Sequence, residues 1–151
     1  MRKYETVFIS DPDLQDQTRA ELFDKVRNII TKENGILLDF DEWGGKKLAY
    51  EIKKKLRGYY VCMTYGGNGD LVKELERNMR LSDDVMKYMT ILLSDNVTAE
   101  TLEKEAVEMQ EAKAARAQAE QNEAADDAEE TDDAEEADAD ADDEDAQEAD
   151  D

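Results

Sequence analysis

The sequence predicts an α+β fold in which an antiparallel sheet carries two helices on one face, and three observations predict it. Apolar residues alternate with a period of two in some segments and recur every three to four residues in others. These segments follow one another in the order βαββαβ, with glycine, asparagine or aspartate between most of them. Charge separates this body from the rest of the chain. Residues 1–98 hold 16 Lys and Arg against 17 Asp and Glu, a net of −1, whereas residues 99–151 hold 3 against 24, a net of −21. The whole-chain charge of −22 therefore describes the tail and hides a nearly neutral body.

The first strand is expected from Arg2 to Ser10, with Tyr4, Thr6 and Phe8 on one face and Val7 and Ile9 on the other. Apolar groups on both faces suggest a central strand. Asp11-Pro12-Asp13 breaks it and supplies capping groups for a helix from about Gln15 to Glu33. Leu22, Val26, Ile29 and Ile30 share one face of that helix, with Phe23 beside them, and Asn34-Gly35 ends it. Ile36 to Ile52 reads as a long strand with a bulge at Gly44-Gly45. Lys53 to Gly58 reads as a polar turn, and Tyr59 to Tyr65, rich in aromatic and branched residues, as the third strand. After a glycine-rich turn, Asp70 is the expected cap of a helix from Leu71 to Arg80 that buries Leu71, Leu75 and Met79. A last strand runs from Val85 to Leu93. Right-handed crossovers place both helices on one sheet face, which is the ferredoxin-like split βαβ arrangement. The other face is left for water or a partner.

Beyond the body, Ala99 to Gln121 has high helix propensity but only Leu102, Ala106 and Met109 as an apolar stripe, so a marginal helix is expected. After Asn122 the residues are Ala, Asp, Glu, one Thr and one Gln, and charge repulsion without hydrophobes predicts disorder. The expected organisation is thus a folded domain over 1–97, a helical extension over 98–121 and a disordered acidic tail over 122–151.

Composition removes whole classes of chemistry. With no histidine, a His-based general base, a Ser-His-Asp triad and a Cys-His pair are impossible, although carboxylate or lysine catalysis stays formally open. One cysteine cannot build a zinc site or an internal disulfide, and Cys62 is expected to be a small buried hydrophobe in a reducing, cytoplasmic setting. No apolar run is long enough for a membrane span, and the N-terminus lacks the pattern of a signal peptide.

Basic residues cluster at Arg2 and Lys3, at Lys46, Lys47, Lys53, Lys54, Lys55 and Arg57, and at Arg77, Arg80 and Lys87. Tyr4, Trp43, Tyr50, Tyr59, Tyr60 and Tyr88 interleave with them. Cations neutralise phosphates and aromatic faces stack on unpaired bases, so these groups suit RNA; they equally suit a solvated surface with snorkelling lysines. Arg57-Gly58-Tyr59-Tyr60-Val61 begins like the octamer of RNA-recognition motifs and then fails where stacking aromatics are required. The loop after the first strand carries carboxylates that would repel a phosphate, which argues against acylphosphatase chemistry, and Gly66-Gly67-Asn68-Gly69 lacks the Lys-Ser/Thr of a phosphate loop. The tail has no EF-hand spacing, so no metal and no cofactor is expected. Trp43 fits either the core or the open face as a partner anchor.

The opening Met1-Arg2-Lys3-Tyr4-Glu5-Thr6-Val7-Phe8 and the run Glu42-Trp43-Gly44-Gly45-Lys46-Lys47-Leu48-Ala49-Tyr50-Glu51-Ile52-Lys53 resemble one family, the sixth protein of the bacterial small ribosomal subunit. Gly58-Tyr59-Tyr60-Val61, Leu75-Glu76-Arg77 and Leu81 to Tyr88 continue the resemblance in order, over about residues 1–94. Many members carry proline where Glu51 stands. The resemblance implies a ferredoxin-like, non-catalytic protein that binds the central domain of small-subunit ribosomal RNA together with ribosomal protein eighteen. It implies Arg2, Tyr4, Arg80 and Lys87 as RNA contacts and Trp43, Lys47, Leu48, Tyr50 and Ile52 as contacts with the protein partner. A regulatory ferredoxin-like domain that binds a small molecule is the alternative, and it would require a concave apolar pocket with convergent polar groups.

Overall fold

In a computed structural model, which describes residues 1–135, the first strand β1 (Arg2–Ser10) alternates its side chains as its sequence requires. It leads into helix α1 (Asp16–Lys32), followed by β2 (Ile36–Ile52), β3 (Lys55–Gly67), α2 (Gly69–Leu81), β4 (Val85–Ser94) and α3 (Ala99–Glu135). The sheet order is β2-β3-β1-β4, with every neighbouring pair antiparallel. This is the expected βαββαβ sheet with α1 and α2 on one face.

Both helices meet the sheet through a single core. Leu22, Phe23, Val26 and Ile30 of α1 and Leu71, Leu75 and Met79 of α2 pack on Tyr4, Phe8, Val61, Met63 and Tyr65. Full burial of side chains of this size stabilises by about 1.5–3 kcal/mol each before entropy is counted. Thr6, fully buried among them, is satisfied by hydroxyl contacts with Tyr65 (3.0 Å) and Thr90 (2.9 Å). Gly35 is required by close approach, since a Cβ there would fall 2.3 Å from Leu71 Cδ1.

The structure revises several local expectations. The carboxylates of Asp11 and Asp13 do not cap α1: its N-cap is Gln15, with no side-chain cap, and both carboxylates bind Lys55 instead. The cap of α2 is Asn68, whose side chain accepts from Leu71 N–H at 2.8 Å, rather than Asp70. The expected polar turn over Lys53–Gly58 is mostly strand. β2 and β3 form one hairpin joined by Lys53 and Lys54, at φ 48° and 62°. Two positive-φ residues form the turn that matches strand twist, normally built from Asn-Gly, so lysines concealed it. Their strain, about 1–2 kcal/mol per residue, is offset where Lys53 Nζ donates to the Val85 carbonyl and Lys55 binds Asp11 and Asp13. Register shifts between Glu42 and Gly44, with Gly44 at φ 82°, mark the bulge expected there.

Helix α3 begins as part of the body. The unit it joins spans Met1–Glu111. Leu102 is fully buried and fills the space over Gly66, where a Cβ would fall 2.3 Å from Leu102 Cδ1. Lys3 Nζ pairs with Glu105 at 2.6 Å, and Met1 and Val97 exchange backbone hydrogen bonds. The helix runs through Glu135, beyond the extension drawn over 98–121. Residues 136–151 of the acidic tail lie outside the described residues.

Candidate functional site

Strand alternation assigns β1 residues Lys3, Glu5, Val7 and Ile9 and β3 residues Gly58, Tyr60, Cys62, Thr64 and Gly66 to the face away from α1 and α2. This face is not wholly open, as the sequence suggested. Leu102 seals it over Gly66, and Leu48 of the hairpin packs with Ile9 and Met86, flanked by Ile52 and Tyr60. At the Leu48 end of this face lies a cleft of about 230 Å³ lined by Val7, Ile9, Leu48, Tyr50, Ile52, Tyr60, Lys87 and Met89, among others. Met89 is 60 % exposed, Tyr50 58 % and Trp43 44 %.

The partner candidates divide within this geometry. Trp43 belongs to the face and not to the core: it stacks on Tyr60 at 6.5 Å, its indole N–H donates to Asp41, and Lys46 Nζ lies 5.3 Å over its ring. Tyr50 and Ile52 line the cleft. Leu48 is only 6 % exposed, so its apolar surface is spent inside the chain, holding the hairpin down. Lys47 pairs with Arg57 in the register, while Lys46 pairs with Gly58, so Lys47 belongs to the opposite face from the cleft.

The RNA candidates are not gathered in one place either. Arg2 is exposed at the start of β1, 4.0 Å from Asp95. Arg80, in the last turn of α2, donates to the Tyr88 hydroxyl at 3.3 Å. Lys87 is on the cleft wall, hydrogen-bonded to the Tyr50 hydroxyl with its ammonium 5.1 Å from that ring. Tyr4 is 8 % exposed and stacked on Tyr65 in the core, which leaves no ring face for a base.

Cys62 is half-buried rather than fully buried. Burial first, then the nearby carboxylates of Glu5, Asp41 and Asp39, push its thiol up to about 11, so it stays protonated and unreactive at neutral pH. Those carboxylates make the half of the face near Gly66 acidic, while Lys46 and Lys87 make the cleft end basic. Sequence reasoning missed Val7 and Met89 as cleft residues and Leu102 as a core residue. The alternation in β1 and β4 carried a signal for the first two; nothing local distinguished the third. Among the described residues no group of His, Cys, Asp and Glu converges to hold a metal ion, and no helix is long and apolar enough to cross a membrane.

Comparison with known proteins fits this architecture. Residues 3–92 match the family described as Ribosomal protein S6. A small ribosomal subunit protein bS6 of Desulforapulum autotrophicum is 59 % identical over 118 residues, covering 76 % of this chain and 76 % of that protein. The bS6 protein of Desulfatibacillum aliphaticivorans is 50 % identical over 114 residues, covering 76 % of this chain and 59 % of that longer protein. The crystal structure of 30S ribosomal protein S6 from Thermotoga maritima superposes with a TM-score of 0.58 at 29 % identity, covering 72 % of this chain and 97 % of that one. The βαββαβ sheet, the signature hairpin and these matches place the chain in the ribosomal protein S6 family, as a structural, non-enzymatic component of the small ribosomal subunit.

Proposed function

We propose that this chain binds small-subunit ribosomal RNA jointly with ribosomal protein eighteen, using the cleft face for the protein and the cations at the margins of the sheet for the RNA. The observation that carries this reading is the unfilled apolar cleft beside Leu48, with the exposed Tyr50 and Met89 in its lining and the exposed Trp43 stacked on Tyr60 of its wall. Exposed aromatic and methionine side chains around a preformed recess are the kind of surface that partner side chains desolvate. Its acidic half, Glu5, Asp39 and Asp41, suits a basic partner. Arg2 and Arg80 supply phosphate contacts outside the cleft, whereas Lys87, held on Tyr50, belongs with the protein contact.

The small-molecule reading is weaker. The cleft holds about 230 Å³, below the roughly 300–1,000 Å³ usual for ligand pockets, and it opens broadly to solvent.

The test is heterodimer formation with purified protein eighteen, followed by binding to a transcript of the central domain of the ribosomal RNA. Tyr50→Ala is expected to weaken the protein contact about tenfold, equivalent to about 1.4 kcal/mol, with the fold intact. Equal affinity of wild type and variant for protein eighteen would exclude the cleft as the contact.

A further inference from the structure

The β2–β3 hairpin has two faces of different chemistry, and the proposed function uses one. Its inner face carries Leu48, Tyr50 and Ile52 toward the cleft. On its outer face Lys47 and Arg57 are direct partners across the antiparallel pair, which sets their Cβ atoms about 5 Å apart. Both side chains are exposed, as is Lys54 at the turn.

Like charges directly opposite each other destabilise a sheet unless something anionic stands between them. Within this chain nothing described does. Some cations elsewhere are matched, Arg27 with Asp24, Lys73 with Asp70, Arg77 with Glu74 and Arg2 with Asp95, while Lys25, Lys32 and Arg80 stand exposed without an acid partner among the described residues. In the same hairpin Lys55 is tied to Asp11 and Asp13, Lys53 to a carbonyl and Lys46 to the Trp43 ring. Lys47, Lys54 and Arg57 enter no ion pair among the described residues, and Glu51, the hairpin's nearest acid to Lys47 along the strand, pairs with none of them. What sets Lys47 and Arg57 apart is that they face each other across the strand pair with no acid between them, a like-charge pair that an external anion would relieve.

We infer that the outer face of the hairpin, Lys47 with Arg57 and Lys54, is a phosphodiester-backbone contact, so that RNA and the partner protein grip opposite faces of one strip. This rests on the RNA-binding reading above and adds a second phosphate site on a different element from Arg2 and Arg80. Phosphate is favoured over a protein carboxylate because these cations stand exposed on the face of the hairpin opposite the apolar cleft. Backbone contacts need charge and reach, and little else.

The experiment measures the salt dependence of affinity between the full chain, with protein eighteen present, and the central-domain transcript. Lys47→Gln with Arg57→Gln is compared with Arg2→Gln with Arg80→Gln, and with the charge-keeping Lys47→Arg with Arg57→Lys. Loss of two phosphate contacts is expected to reduce the slope of log affinity against log salt by about 1–2 units, with the charge-keeping variant unchanged. Thermal unfolding is expected to be unchanged or to rise, because an unfavourable cation pair is removed. An unchanged slope in the hairpin variant, alongside a reduced one in the Arg2/Arg80 variant, overturns the hairpin site and leaves RNA binding standing. No RNA binding by the wild-type chain overturns both. If the hairpin substitutions shift amide signals of residues beyond Glu111 in the RNA-free chain, the anion is the chain's own acidic tail, and the proposal falls.

Discussion

Replacing Leu102 by alanine tests whether α3 belongs to the domain or merely follows it. Leu102 is fully buried, although it is the first large apolar residue in a segment with a thin apolar stripe. Its side chain occupies the notch that Gly66 leaves by having no Cβ. Leu→Ala at such a site costs roughly 2–5 kcal/mol when the surroundings cannot collapse. Here they can give, because among the described residues the helix start is held by few groups, Leu102, Ala106, the Lys3–Glu105 pair and the Met1–Val97 backbone bonds. The expected cost is therefore at the low end, about 2–3 kcal/mol, and expressed as release of the helix rather than as global unfolding. Amide exchange over Glu103–Val107 should then accelerate about 30- to 150-fold, since 1.4 kcal/mol corresponds to tenfold. Strands β1 and β3 should keep their protection. Exchange within about twofold of wild type across α3 would show that Leu102 is not seated and would refute the assignment of this helix to the body. Gly66→Ala provides the converse, expelling the same side chain by steric overlap, and should reproduce the effect.

Three further outcomes follow from the geometry. Gly35→Ala places a methyl 2.3 Å from Leu71 Cδ1 and 2.9 Å from the Ile30 carbonyl oxygen, so chemical denaturation should show a loss of about 1–3 kcal/mol. Lys55→Gln should lower stability at neutral pH. Burial raises the Asp11 carboxyl, but hydrogen bonds from Lys55 and the Asp13 amide outweigh it and hold Asp11 below its ordinary 3.8. Its contribution is thus present above about pH 3.8 and lost as pH falls through the folded value. The gap between wild type and variant should close on acidification, and a gap that widened would contradict the pairing. Finally, residues 112–151 carry 19 acidic and 2 basic side chains, a net of −17, so a chain ending at Glu111 should bind non-specific RNA more tightly. The gain, on the order of threefold to tenfold at low salt, should vanish at high salt as screening sets in; tighter or equal binding by the full-length chain at low salt would refute it.

Much of the fold was legible because its signals are local. The period of Leu22, Val26 and Ile30, the spacing of Leu71, Leu75 and Met79, and the alternation of Tyr4, Thr6 and Phe8 each follow from helix or strand geometry alone. Their order then admits few topologies. The caps were less legible. Asp11, Asp13 and Asp70 are all good capping residues, and the outcome depended on a distant lysine that took two of them and on Asn68 standing better placed than Asp70. The hairpin turn was hidden because lysine is a poor residue for positive φ, held there only by contacts at its tip.

The sequence by itself determined the elements, their order, the two-helix face and the division of charge between body and tail, because these depend on periodicity and composition. Only the tertiary structure decided which side chains share a surface. Packing against Ile9 and Met86 buried Leu48, and stacking against Tyr65 took the ring of Tyr4 into the core. A helix with few apolar residues became part of the domain because one of them met a glycine contributed by a strand far along the chain. Contacts of that kind depend on where two distant segments meet, and no local pattern in either segment records the meeting.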